Sequence, residues 1–232
     1  FYQMKPGKSE SEFRELVSNH PLLRQRYRGV YVFYNNDHGI LIPDTVYNQD
    51  TALQMLEMVT GDLHTGIHMQ DHINEMGVHH IYAVPDYQHE ELVRLFPDAV
   101  FSHFHSGLIR KKIIQGGPTD IMEVLFYPEM IIIALWKNNV LHIIHSFHYD
   151  IPEDVSFHLL NIANQWDLSP EDITVKISGL LETQSAMYTE ILKYFLRVEL
   201  ELKPAGFQYD FAFDNFPQHF FSPVFSLAVC VL

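Results

Sequence analysis

IMEVLFYPEMIIIALWKNNVLHIIHSF, residues 121–147, decides the fold. It contains three strand-like runs, 121–127, 130–136 and 140–147, separated by Pro128-Glu129 and by Lys137-Asn138-Asn139. Apolar, β-branched runs of this length between turn residues read as sheet strands. The period then changes. Pro152-Glu153-Asp154 opens a helix, with proline in the first turn and acids at the positive end of the dipole. Val155, Phe157, Leu159, Leu160 and Ile162 continue it. Ser169-Pro170-Glu171-Asp172 leads into the apolar run ITVKI at 173–177, which ends in Ser178-Gly179. Gln184 to Leu196 reads as a second helix, and VELEL at 198–202 alternates like a half-exposed strand. Strands followed by alternating helix and strand place the chain in the α/β class.

The first half is less regular. FYQMKPG at 1–7 reads as a strand end and a turn, and Ser9 can cap a helix that Pro21 interrupts. Val30 to Tyr34 and Ile40 to Pro43 flank the turn-rich Asn35-Asn36-Asp37-His38-Gly39, which predicts a hairpin. Leu53, Leu56, Met58 and Val59 mark an amphipathic helix that Gly61 ends. HHIYAV at 79–84 is a strand stopped by Pro85, and Asp86 caps the next helix. Ala99 to Phe104 is a further strand, and Ser106 to Ile114 is a helix. Gly116-Gly117-Pro118 is the best boundary, dividing a first lobe, 1–117, from a second, 118–232. IYAVP, helix, FPDAVFSH, helix can be set against ITVKISG, helix, VELEL, apolar tail, an order suggestive of duplication.

Composition excludes several classes. The 232 residues are 47% hydrophobic and 19% charged, which is ordinary for a globular protein. A net charge of −14 leaves no broad basic surface for nucleic acid or anionic lipid. Arg110-Lys111-Lys112 is the basic exception and reads as a solvated helix face. The one cysteine, Cys230, cannot form an internal disulfide and reads as a buried structural thiol. No apolar run reaches the ~20 residues of a membrane span, so a cytoplasmic protein is expected. The chain begins at Phe1 rather than Met, so an upstream segment is expected to have been removed.

The segments IPEDVSFHLLNIANQWDLSPED (151–172), KISGLLE (176–182) and LKYFLRVELEL (192–202) resemble an uncharacterised Bacteroidetes family classed as a domain of unknown function. The resemblance implies an actin-like ATPase fold: two duplicated, ribonuclease H-like lobes. VYVFYNNDHGILIP (30–43), a helix, then HHIYAVP (79–85) also looks distantly like the actin homologues of type IV pilus assembly. That likeness implies a small insertion in the first lobe. In the superfamily, the turn after the first strand of each lobe carries an Asp and a Gly that meet nucleotide phosphates. The first such hairpin is expected to be incomplete, because the chain starts inside or just after it. At the second, Tyr127-Pro128-Glu129 has no glycine to admit a phosphate, and Glu129 would repel one. The adenosine motif has one partial match, Ile177-Ser178-Gly179, which a tight strand-to-helix turn explains equally.

Other constellations are weak. His68 and His72, with Asp71 between, would share one face of a helix. His103 and His105 would alternate on a strand end, and His145, His148 and Asp150 form a third group. None carries a complete metal motif, and no metal ligand is assigned. Ser106-Gly107 and Ser178-Gly179 lack the flanking glycine of a nucleophile elbow. Phe207, Tyr209, Phe211 and Phe213 would put four rings on one side of an extended strand, as a core cover or a partner-docking strip.

The expected function is a non-catalytic, actin-like scaffold or protein-interaction module with degenerate nucleotide motifs and no cofactor. A protein partner or self-association is expected, with no nucleic acid and no membrane. The first alternative binds ATP and magnesium through Ser178 and Gly179 in a cleft between the lobes. The second is a histidine-based metal-binding protein.

Overall fold

Side-chain period and turn chemistry explain most of the elements in a computed structural model, which describes residues 9–61 and 66–230. The opening FYQMKPG lies outside the described residues. The chain divides into two compact units, Phe1–Gly107 and Leu108–Leu232.

In the first unit, α1 (Ser9–Asn19) leads through a 3-10 turn to β1 (Tyr31–Tyr34) and β2 (Gly39–Pro43). Next come α2 (Ala52–Thr60), β3 (Ile67–Ile73), β4 (Val78–Val84), α3 (Asp86–Leu95) and β5 (Val100–His103). The helix α4 (Phe104–Gln115) contains the point of division. Phe13 and Tyr87 meet edge-to-face at 5.8 Å, which packs α1 on α3.

The predicted hairpin of residues 30–43 does not form. β1 pairs in parallel with β5, and β2 pairs antiparallel with β4. Asn36 Oδ1 accepts from the His38 N–H at 3.1 Å, so the turn residues send the chain into a separate sheet, ordered β2-β4-β3. His68 and His72 therefore stand on a strand, not a helix. His105 lies in the first turn of α4, not on the strand that ends at His103.

The second unit follows the sequence more closely. β6 (Ile121–Phe126), β7 (Met130–Lys137) and β8 (Val140–His148) form an antiparallel meander. Asn138 and Asn139 turn β7 into β8 with φ of 53° and 62°, the left-handed pair that a two-residue hairpin needs. α5 (Pro152–Gln165) starts where predicted, and Asp154 Oδ2 accepts the Asp150 and Ile151 N–H groups at 2.9 and 3.1 Å. β9 (Thr174–Gly179), α6 (Ala186–Leu192) and β10 (Arg197–Leu200) complete a sheet ordered β10-β9-β6-β7-β8. Val124, Ile133, Leu159, Ile177 and Phe195 fill the core between this sheet and α5 and α6. The last helix is α7 (Ser222–Val229).

Two expectations fail here for tertiary reasons. Phe207 to Phe213 forms no strand: Asp210 accepts the Ala212 N–H at 2.8 Å and opens a 3-10 turn, Phe211–Asn215. Tyr209 and Phe213 fold onto Phe225 of α7 at 4.7 and 5.0 Å, while Phe211 stays 82% exposed. Lys111 and Lys112 are buried rather than solvated. Lys111 meets Glu201, and Lys112 donates to the Pro118 carbonyl at 2.9 Å. Cys230 is half-buried, and that burial pushes its thiol pKa up.

Candidate functional site

Strand period sorts the histidines of the small sheet. β3 and β4 pair with His72 opposite His79 and Asp71 opposite His80. Successive side chains alternate faces, so adjacent residues go to opposite sides. Asp71, His80 and Tyr82 are buried on one face, and His72 and His79 stand on the other.

On the buried face, Asp71 is held by three donors: Tyr82 Oη at 3.2 Å, Ser102 Oγ at 2.7 Å and the His103 N–H at 2.7 Å. His103 Nδ1 accepts the His105 N–H at 3.1 Å, and its Nε2 lies 3.1 Å from the Asn36 carbonyl. That pairing assigns the neutral tautomer with the proton on Nε2. His80 Nδ1 lies 2.9 Å from Ser106 Oγ, and the His80 ring meets His103 edge-on at 4.4 Å. Gly39 is required beside it, because a Cβ there would come within 2.6 Å of His80 Nε2. Burial, above all, holds His80 well below its ordinary pKa, with the neighbouring His103 and His105 adding to the effect. Burial also lowers His103 to about 4. The donor atoms of His80, His103 and His105 lie within 4.8 Å of one another. Three neutral imidazoles suit zinc, but both ring nitrogens of His103 are already engaged.

The outer face carries a second convergence that the sequence reading did not assemble. His72 Nε2 and His79 Nε2 each lie 3.3 Å from the same oxygen, Asp44 Oδ1. The two rings stack at 4.1 Å and 1°. Tyr47 stacks on His79 at 3.6 Å and donates its hydroxyl to Gln70 Oε1 at 2.7 Å. The Gln70 amide meets His79 Nδ1 at 2.6 Å. His68, the other half of the sequence pair, is exposed on this face, and no described contact joins it to the group. The signal for the group was the alternation of β3 and β4, since Asp44 is 28 residues from His72.

In the second unit, the candidate phosphate turn is Tyr127-Pro128-Glu129. The Tyr127 N–H donates to the Met130 carbonyl at 2.8 Å, and Pro128 has no N–H. The Tyr127 carbonyl accepts Tyr149 Oη at 2.6 Å, and the Glu129 carbonyl accepts the Tyr149 N–H at 3.3 Å. Ser178 and Gly179 end β9 beside Phe126. The Gly179 N–H donates to the His219 carbonyl at 2.8 Å. Gly179 has φ +84°, and a Cβ there would lie 2.3 Å from the Phe126 carbonyl oxygen. Glycine is thus demanded by packing at this position. Among the described residues, His145, His148 and Asp150 are not one of the groups whose ligand atoms come together, and His145 meets Phe147 edge-on at 5.0 Å.

Arg110-Lys111-Lys112 is not the only basic group: exposed Arg24, Arg26 and Arg28 line an open cavity of about 640 Å³ with Leu95 and Pro97. Among the described residues, no helix is long and apolar enough to cross a membrane.

The chain belongs to the family described as protein of unknown function DUF3822, whose profile matches residues 2–198. No curated protein matches the sequence. A Bacteroides thetaiotaomicron protein with actin-like ATPase fold and unknown function superposes with a TM-score of 0.75 at 18% identity, over 83% of this chain and 76% of that one. A chain of the PilM-PilN type IV pilus biogenesis complex gives 0.47 at 12% identity, over 100% of this chain and 90% of that one. The first likeness shows the fold class: a mixed α/β protein similar to an actin-like ATPase fold.

Proposed function

We propose that this member of the DUF3822 family is a non-catalytic actin-like protein that acts as a cytoplasmic scaffold or protein-interaction module. Its two units are read as duplicated ribonuclease H-like lobes, and residues 39–84, with their own antiparallel sheet, as a small insertion in the first. The parallel pair β1 and β5, with α3 preceding β5, supports the duplication, because β9 and β10 pair in parallel around α6.

The observation that carries the non-catalytic reading is the backbone of the phosphate turn, where one amide is bonded within the hairpin and the next residue is proline. A phosphate-binding turn presents free N–H groups to anionic oxygens. Here the Tyr127 N–H is bonded within the hairpin, Pro128 has none, and the Gly179 N–H is bonded to His219. Glu129 adds negative charge at an exposed position. The interaction half of the reading rests on exposed apolar side chains, with Phe211 at 82% and Leu196 at 71%.

The test is thermal unfolding of the full chain with and without ATP and magnesium, alongside light scattering across concentration and pull-down from cell extract. A ligand that binds only the folded state raises the melting temperature by mass action. No magnesium-dependent shift is expected, together with self-association or a captured partner that Phe211→Ser weakens. A shift with ATP that Ser178→Ala reduces would favour the nucleotide-binding alternative. A monomer with no partner would remove the scaffold reading.

A further inference from the structure

We infer that the open end of the outer face of the β2-β4-β3 sheet binds a divalent transition-metal ion of the zinc class, with Asp44, His72 and His79 as its ligands. The inference stands apart from the interaction reading above.

The geometry comes first. Direct opposition on β3 and β4 makes the His72 and His79 rings parallel and points both Nε2 atoms at Asp44 Oδ1, 3.3 Å from each. Asp44 follows β2 directly, and its N–H donates to the Gly77 carbonyl at 2.8 Å, which pins the carboxylate beside the two rings. All three ligand atoms already lie within 4.8 Å of one another. Zinc bonds of about 2.0–2.2 Å in a tetrahedral site need ligand atoms roughly 3.3 Å apart. Because an imidazole ligates in its own plane, stacked rings cannot share an ion, so His72, which is 41% exposed, must tilt out of the stack to reach that spacing.

The surroundings orient the ligands as a metal site requires. An imidazole that binds metal through one nitrogen normally donates its other N–H to a fixed acceptor. His79 Nδ1 has such a neighbour in Gln70, 2.6 Å away. As placed, the Gln70 nitrogen faces the ring and its oxygen accepts from Tyr47. Turning the amide over puts Oε1 on His79 Nδ1–H and leaves the amide nitrogen to donate to the Tyr47 hydroxyl oxygen. The exchange keeps both Gln70 contacts, because the two amide orientations have the same shape, and turns the Tyr47 O–H, at an exposed position, toward water. His79 is clamped between Tyr47 at 3.6 Å and His72 at 4.1 Å, so its ring is aimed before an ion arrives.

Charge and access complete the case. Two neutral imidazoles and one carboxylate match zinc, cobalt, nickel or copper; magnesium and calcium prefer all-oxygen sets. The Asp44 and His72 side chains are 44% and 41% exposed, so water can enter and hold the remaining coordination position. The inner trio of His80, His103 and His105 lacks this freedom, since both His103 ring nitrogens are hydrogen-bonded.

The experiment is a zinc titration of the chelator-treated full chain by competition with a metallochromic dye. Cobalt titration then follows the visible absorption of a four-coordinate ion. One ion per chain is expected. Asp44→Asn and His72→Ala should weaken binding at least ~10-fold, and Gln70→Ala roughly 10-fold through the lost outer hydrogen bond. His68→Ala, on the same face, should leave binding unchanged. Circular dichroism checks that each variant is folded, and the exposed His72 is the variant least able to disturb folding. Substoichiometric binding, or full binding by Asp44→Asn and His72→Ala, would overturn the assignment. So would loss of binding in His105→Asn with Asp44→Asn unaffected, which would move the ion to the inner trio.

Discussion

Lys111 Nζ lies 2.6 Å from Glu201 Oε1, with the two side chains only 6% and 5% exposed. Glu123 Oε1 stands 3.4 Å from the same ammonium, and Ser222 donates to Glu201 Oε2 at 3.0 Å. Burial alone would lower the Lys111 pKa, but Glu123 and Glu201 outweigh it and hold the group above its ordinary range. Burial would likewise raise Glu201, and Lys111 outweighs it in the other direction. Both groups are therefore ionised inside the second unit.

Removing one partner strands the other charge. Lys111→Met is expected to cost about 3–5 kcal/mol, read as a lower urea midpoint. Lys111→Met with Glu201→Met should recover most of that loss, since an apolar pair replaces a desolvated ionic one. Equal, additive losses in the single and double variants would contradict the coupling.

Acid should destabilise the first unit through its buried imidazoles. His103 titrates near 4 when folded and near ~6.5 when unfolded. The unfolded chain thus binds more protons between these values, so stability is full above about 6.5 and falls as pH drops toward 4. The loss from His103 is on the order of 3 kcal/mol at most, and His80 acts in the same direction. Urea unfolding at pH 7.5 and pH 5 measures it. A His103→Gln chain should show a shallower pH dependence.

Gly179→Ala should be among the most damaging single changes. The new methyl would meet the Phe126 carbonyl oxygen at 2.3 Å and would also have to adopt φ +84°. Strain and overpacking together predict a loss of roughly 3 kcal/mol or more. A melting temperature unchanged from the parent chain would show that β6 and β9 yield easily at this point.

Pro128→Gly with Glu129→Gly should behave quite differently. Both side chains are exposed at the β6–β7 turn. Only unfolded-chain entropy is at stake, about 1 kcal/mol. Calorimetry should find the fold intact, and a phosphate-release assay should find no magnesium-dependent turnover in the parent chain. Turnover abolished by Glu129→Gln would show Glu129 acting as a catalytic group.

The sequence by itself determined the α/β class and most of the second unit. Strand and helix periods are local properties of the backbone, so the runs at 121–147 and the helix start at Pro152-Glu153-Asp154 could be read directly. The turn at Asn138-Asn139 was legible for the same reason. α6 is shorter than the predicted helix because Lys193 to Phe195 turn back into β10, with Phe195 fully buried. That packing involves residues far apart in the chain.

Only the tertiary structure decided strand partners and converging side chains. β1 and β2 looked like a hairpin, yet each found its partner far along the chain, Tyr31 opposite Val100 in β5 and Pro43 opposite Val78 in β4. The His72, His79 and Asp44 group depends on the register of β3 against β4, and a one-residue slip would send His72 to the opposite face. Lys111 and Glu201 lie 90 residues apart, and each reads locally as a solvated charge. Pairing and burial come from long-range packing, whereas period and turn chemistry are written residue by residue. That difference is why the strands were visible in the sequence and the clusters they build were not.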